Sequence, residues 1–196
     1  MRRLLAATVL LAIAFCLLTT PSGAVSNTDP AGDAIKPQGD IRRYVLRHDD
    51  ASGRYVAKIT VARGVNPVTT RSWRDTNTEI RVFWDTAPLP GEEFRTDLHT
   101  VSGSPNVFTA ETVANLPVDL GGPAIPSGLD CTATTATGTG PTVAYRAPNT
   151  YKVRVPDDCL PLAQSVSARI EMTFDPRPAG GTDMDKAPNT GTVAIP

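Results

Sequence analysis

Histidine is almost missing: His48 and His99 are the only two in 196 residues, which excludes any three-histidine metal site. Aromatic residues make up 6% of the chain, too few for an extended ring-lined surface that stacks sugars or bases. An excess of one charge is also lacking, since 19 Lys and Arg stand against 20 Asp and Glu for a net charge of −1. A balance this close to neutral gives no global electrostatic reason to hold DNA, RNA or an anionic membrane. Cysteine occurs three times, at Cys16, Cys131 and Cys159, with no Cys-x-x-Cys spacing to support redox exchange. The G-x-S-x-G elbow, the H-E-x-x-H pair and the phosphate-cradling glycine loop are all missing, and with them the commonest hydrolase and nucleotide signatures.

What is present begins with an export pattern. Met1-Arg2-Arg3 is followed by an apolar run from Leu4 to Leu18, then by Ser22 and Ala24 at the small-residue positions of a cleavage site. A helix through that run would rise about 22 Å, short of the ~30 Å apolar thickness of a bilayer, so a cleaved signal over residues 1–24 is expected rather than an anchor. Phe15 stands where a lipoprotein signal needs a small residue, so Cys16 is not read as lipidated. The exported product would carry 17 basic and 20 acidic residues, a charge of −3, and no membrane span. Its two remaining cysteines, Cys131 and Cys159, are expected to pair as a structural disulfide.

Apolar residues alternate with polar ones along most of the rest. Tyr55, Ala57, Ile59 and Val61 share one face of a segment, as do Ile80, Val82 and Trp84, and Tyr151, Val153 and Val155. Val166, Ala168, Ile170, Met172 and Phe174 repeat the pattern. A helix would scatter each set around its circumference, whereas a strand gathers it on one side. Prolines and threonines are frequent, and turn signals at Asp49–Gly53 and Ser102–Asn106 separate strand-like runs. No stretch supplies the crossover helices that parallel strands need. The expected fold is all-β: an antiparallel two-sheet sandwich over residues 39–196 with one disulfide. Residues 25–38 are expected to lie over it as a polar arm, and Leu116–Gly128 to bridge the sheets as a long loop.

The exported region opens Asp29-Pro30-Ala31-Gly32-Asp33 and reaches Gly39-Asp40-Ile41 before a strand. With Phe83-Trp84-Asp85-Thr86, Val153-Arg154-Val155-Pro156 and Asp185-Lys186-Ala187-Pro188, this resembles uncharacterised secreted actinobacterial β-sandwich proteins that open with D-P-x-G-D. Fifteen arginines against four lysines fit the GC-rich coding of such a source. Lys186 stands where those proteins often carry an aromatic residue. More distantly, the arrangement resembles DOMON domains and family 9 carbohydrate-binding modules. The resemblance implies an exported sandwich and brings no activity with it.

Four groups of residues are candidates for chemistry. Asp29, Asp33 and Asp40 near the start, with Asp183 and Asp185 near the end, offer hard oxygen ligands for Ca²⁺ if the terminal segments meet. Capping of local turns is the plainer role for the first three. Trp73, flanked by Arg71 and Arg74, offers an indole for stacking on a sugar, against the plainer reading of a tryptophan folded over the sheet edge. His48 beside Asp49 and Asp50, with His99 elsewhere, would suit a base oriented by an acid, although a solvent-facing His48 is simpler. Glu92 and Glu93 are adjacent and should point apart, so they do not form a glycosidase pair. Arg42, Arg43, Arg47 and Arg54 form a basic group on the first strands, explicable as a solvated face. Together these favour a secreted, non-catalytic binding or cell-surface module without a required cofactor. A cell-wall glycan or a surface protein is its expected partner, and nucleic acid is not. A structural secreted protein packing on a partner comes second, and a hydrolase third.

Overall fold

The computed structural model describes residues 23–74, 78–86, 91–101, 104–115, 131–132, 140–160, 165–174 and 183–196. The signal-like segment and the Leu116–Gly128 loop therefore lie outside the described residues. Strands dominate. In chain order they are β1 (Ala24–Thr28), β2 (Ile41–Asp49), β3 (Arg54–Val61), β4 (Glu79–Asp85), β5 (Phe94–Val101) and β6 (Ser104–Ala114). They continue as β7 (Cys131–Thr132), β8 (Thr142–Arg146), β9 (Thr150–Pro156), β10 (Val166–Phe174), β11 (Asp183–Ala187) and β12 (Val193–Ile195). A single helical turn, α1 (Arg71–Arg74), and a 3₁₀ turn at Asp157–Cys159 complete the described elements.

Two antiparallel sheets pack face to face. The smaller runs β1-β2-β3-β9-β8, and the larger runs β11-β10-β4-β5-β6-β7 with β12 also paired to β10. The alternation seen in the sequence sets which side chains enter the core. Ile59, Val61, Tyr151 and Val153 come from the smaller sheet, with Ile80, Val82, Trp84, Ile170 and Met172 facing them from the larger, all buried. Burying one such side chain contributes roughly 1.5–3 kcal/mol, so this shared layer is the main source of stability. Trp84 keeps its one polar atom satisfied inside the core. Its Nε1–H donates to Thr96 Oγ1 at 2.9 Å, and that hydroxyl lies 2.8 Å from Thr112 Oγ1.

Two features depart from simple alternation. The segment expected as an arm is strand at its start: β1 pairs antiparallel with β2 along the edge of the smaller sheet. Only the turn-rich stretch after Thr28 crosses the sandwich edge. In β2 the register with β3 shifts between Ile41 and Arg43. A bulge inserts one extra residue and changes parity, which is why both Ile41 and Tyr44 are buried. It also turns the Ile41 N–H away from the ladder, onto Asp185 Oδ2 at 2.6 Å.

The expected disulfide is present, joining Cys131 on β7 to Cys159 after β9, with Cα atoms 5.6 Å apart. It links the outer edge of the larger sheet to the smaller sheet.

Candidate functional site

The five candidate aspartates gather where the 29–40 segment meets β11, and they divide into different roles. Asp183 and Asp185 alternate with Met184 and Lys186 and point into the sandwich edge, 7% and 4% exposed. Asp183 is a backbone clamp: its Oδ1 accepts the Ile35 N–H at 2.9 Å and its Oδ2 the Lys36 N–H at 2.5 Å. It is not among the carboxylates that converge. Asp40 is likewise engaged, with Oδ2 2.7 Å from the Arg42 guanidinium and accepting the Gly32 N–H at 3.1 Å. Gly32 sits at φ 82°, a left-handed conformation that glycine adopts without strain.

Asp29, Asp33 and Asp185 converge, each offering a carboxylate oxygen within 4.8 Å of the other two. Burial, then the charge of Asp185, then those of Asp33 and Asp40 push the Asp29 carboxyl up to about 7. Burial also raises Asp185, to about 6, against the Ile41 N–H that favours its charged form. Among the described residues no basic side chain pairs with any of the three, and Lys186 turns to the opposite face, onto Glu171 at 3.0 Å. Asp33 is the exposed member, and Asn189 Nδ2 donates to its Oδ2 at 3.2 Å.

Trp73 is not a stacking platform. The turn α1 tucks it inward until the residue is 1% exposed, edge-on to Phe108 with centroids 5.3 Å apart and 5.6 Å from Tyr151. Thr100 Oγ1 donates to its carbonyl, fixing the turn on β5. Arg71 is exposed beside it, while the Arg74 side chain lies outside what the structure describes. Next to this turn, a cleft of about 620 Å³ crosses the outer face of the larger sheet, lined by Glu79, Arg81, Asp97, His99 and Glu111 among others. Ion pairs cross it: Arg81 lies 2.5 Å from Glu79 and 3.5 Å from Asp97, and the neighbouring Arg95 lies 2.8 Å from Asp97.

His48 is partly exposed, with a carboxylate at each ring nitrogen. Nδ1 lies 2.6 Å from Asp50, Nε2 lies 3.0 Å from Asp157, and the ring sits tilted against Tyr55 with centroids 4.5 Å apart. A catalytic histidine of the triad type keeps one nitrogen for the nucleophile; here carboxylates occupy both. Glu92 and Glu93 do point apart, one pairing with Arg169 at 2.6 Å and the other accepting the Thr86 N–H at 2.7 Å.

The basic group proves larger than the sequence indicated. The outer face of the smaller sheet carries Arg43 and Arg47 from β2, Arg54 and Lys58 from β3, Lys152 and Arg154 from β9, and Arg146 from β8. Lys58 and Lys152 are direct cross-strand partners. Arg47 pairs with Asp49 at 3.2 Å. Among the described residues, no carboxylate pairs with Lys58, Arg146, Lys152 or Arg154. Burial first, then Arg154, Arg47, Arg146 and Lys58, lower the Lys152 ammonium below its usual range. Arg42, displaced by the bulge, points to Asp40 and is not part of this face.

No family model matches the chain, and neither a curated protein nor a solved structure matches it. Among the described residues no helix is long and apolar enough to cross a membrane.

Proposed function

We propose that this chain is a secreted, non-catalytic binding module whose ligand surface is the basic outer face of the smaller sheet, and whose ligand is an anionic glycan polymer of the cell envelope. The observation that carries the reading is the unpaired placement of Lys58 directly opposite Lys152, within a field of five arginines. Like charges opposite each other in an antiparallel pair destabilise it, so folding alone does not favour this arrangement. A polyanion laid across the face would remove the repulsion. Outward side chains recur about every 6.8 Å along a strand and every ~4.8 Å across strands, a lattice that can follow repeating acidic groups. Seven of the 19 Lys and Arg residues of a near-neutral chain lie on this one face.

The alternative of a protein packed on a partner has less support. Among the described residues the exposed large apolar side chains are three, Ile35, Val107 and Met184, whereas a packing surface needs a contiguous patch of several hundred Å².

Retention on immobilised polygalacturonate and on poly(glycerol phosphate), with neutral dextran as control, tests the proposal. Wild-type protein should be retained on a polyanion at low salt and elute as NaCl is raised. The Lys58→Glu, Lys152→Glu double variant should lose retention by at least tenfold with an unchanged thermal midpoint. Equal retention on dextran, or retention that survives the double reversal, overturns the reading. Retention on duplex DNA in place of both polymers would overturn the ligand class.

A further inference from the structure

We infer that Asp29, Asp33 and Asp185 form a calcium site that fastens the 29–40 segment to β11 across the open edge of the sandwich. The three carboxylates come from two distant parts of the chain and place an oxygen each within 4.8 Å of the others. A cluster of acids alone is common on protein surfaces, and here a second observation points to a ligand. Asp29 is only 9% exposed, and its Oδ2 is buried with no hydrogen-bond partner. A buried carboxylate oxygen with nothing to accept forfeits its hydration without replacement, at a cost that a bound cation removes.

The surroundings select the kind of ion. All three side-chain donors are hard carboxylate oxygens, with no cysteine or histidine in the group, which disfavours zinc, copper and iron. Asp185 is held by two backbone donors, the Ile41 N–H at 2.6 Å and the Lys186 N–H at 2.7 Å, so its oxygens are fixed before any ion arrives. Asp29 lies against the strand edge, its N–H donating to the Arg42 carbonyl at 3.2 Å. Asp33 is exposed and can move in, leaving an open side for water. Calcium accepts six to eight oxygens in irregular geometry and tolerates a mixed set of carboxylates and waters, whereas magnesium demands a near-ideal octahedron. The bulge at Ile41 belongs to the same construction, because it is what aims that N–H at Asp185. Asp40 adds negative charge beside the group while its own Oδ2 remains bound to Arg42.

The site joins the two sheets. Asp29 and Asp33 follow β1 of the smaller sheet, and Asp185 sits on β11, the edge strand of the larger. The ion would therefore act on the stability of the whole sandwich edge rather than on one loop.

Thermal unfolding of the full chain, stripped with EGTA and then titrated with CaCl₂ or MgCl₂, tests the site. At calcium a hundredfold above Kd, the midpoint should rise by about 5–10 °C for a domain of this size. Calorimetric titration should return one calcium per chain, with magnesium giving a smaller rise at the same concentration. Asp33→Asn is exposed and should fold normally, with its calcium-free midpoint unchanged or raised because a like charge is gone, yet its calcium response should be lost. Asp29→Asn should behave the same way, which separates loss of a ligand from loss of the fold. Superposable wild-type melts in calcium and in EGTA overturn the inference. A full calcium shift in Asp33→Asn, or an equal shift with magnesium, overturns it as well.

Discussion

Replacing Asp183 by alanine isolates the backbone clamp from everything else at the sandwich edge. The Asp183 carboxylate accepts two amide hydrogens, from Ile35 at 2.9 Å and Lys36 at 2.5 Å, and the residue is 7% exposed. A hydrogen bond to a charged group contributes roughly 1.5–3 kcal/mol net of exchange with water, so losing both should cost about 3–6 kcal/mol, toward the low end because the freed amides lie in an exposed segment. The loss should also be local. Amide exchange followed by mass spectrometry should show Ile35 and Lys36 exchanging at least tenfold faster, with the amides of β10 unchanged. Asp183→Asn keeps one acceptor oxygen and should fall midway. Unaltered exchange at Ile35 and Lys36, or a uniform loss of protection across both sheets, would refute the assignment of Asp183 as the clamp.

Two further predictions rest on the interior. A Cβ on Gly64 would lie 2.3 Å from Asn149 Cα and 2.5 Å from the Pro148 carbonyl. Both are backbone atoms, so Gly64→Ala should cost about 1–3 kcal/mol in urea unfolding; an unchanged midpoint would show that the β3–β9 junction is looser than this packing. Tyr151 gives an alkaline limit. Burial pushes its phenol from 10.0 up to about 12, opposed by the Val65 N–H that donates to its oxygen at 3.3 Å. The fold favours the neutral form, so stability is intact below pH 10 and declines as pH rises from 10 toward 12, by up to about 3 kcal/mol. Tyr151→Phe should flatten that decline, and an identical slope in the variant would remove Tyr151 as its source.

Sequence and structure agree wherever a run alternates without interruption, as in β4, β9 and β10, because burial of one face leaves a strand a single register. They diverge where tertiary contact outweighs local character. Trp73 has polar neighbours on both sides, yet one helical turn carries it under Phe108 and beside Tyr151, a contact no short window contains. The bulge at Ile41 and Arg43 leaves no mark in the alternation until the partner strand is known. Of the five aspartates picked out by type, three meet. The two that do not are diverted by partners specific to the folded chain, the Ile35 and Lys36 amides and the Arg42 guanidinium. The basic face shows the same limit most clearly. Its first members, Arg43, Arg47 and Arg54, are neighbours in sequence, but Lys152 and Arg154 join them only through pairing of β3 with β9, almost a hundred residues later.

The two flanks of this sandwich are bolted by unlike hardware. On one flank a sulfur bond ties β7 to the turn after β9, and on the other β11 grips the opening segment through its aspartates. A reducing agent acts on the first fastening and leaves the second intact. The two margins thus answer to different chemistry, and loosening one leaves the other closed over the same buried layer.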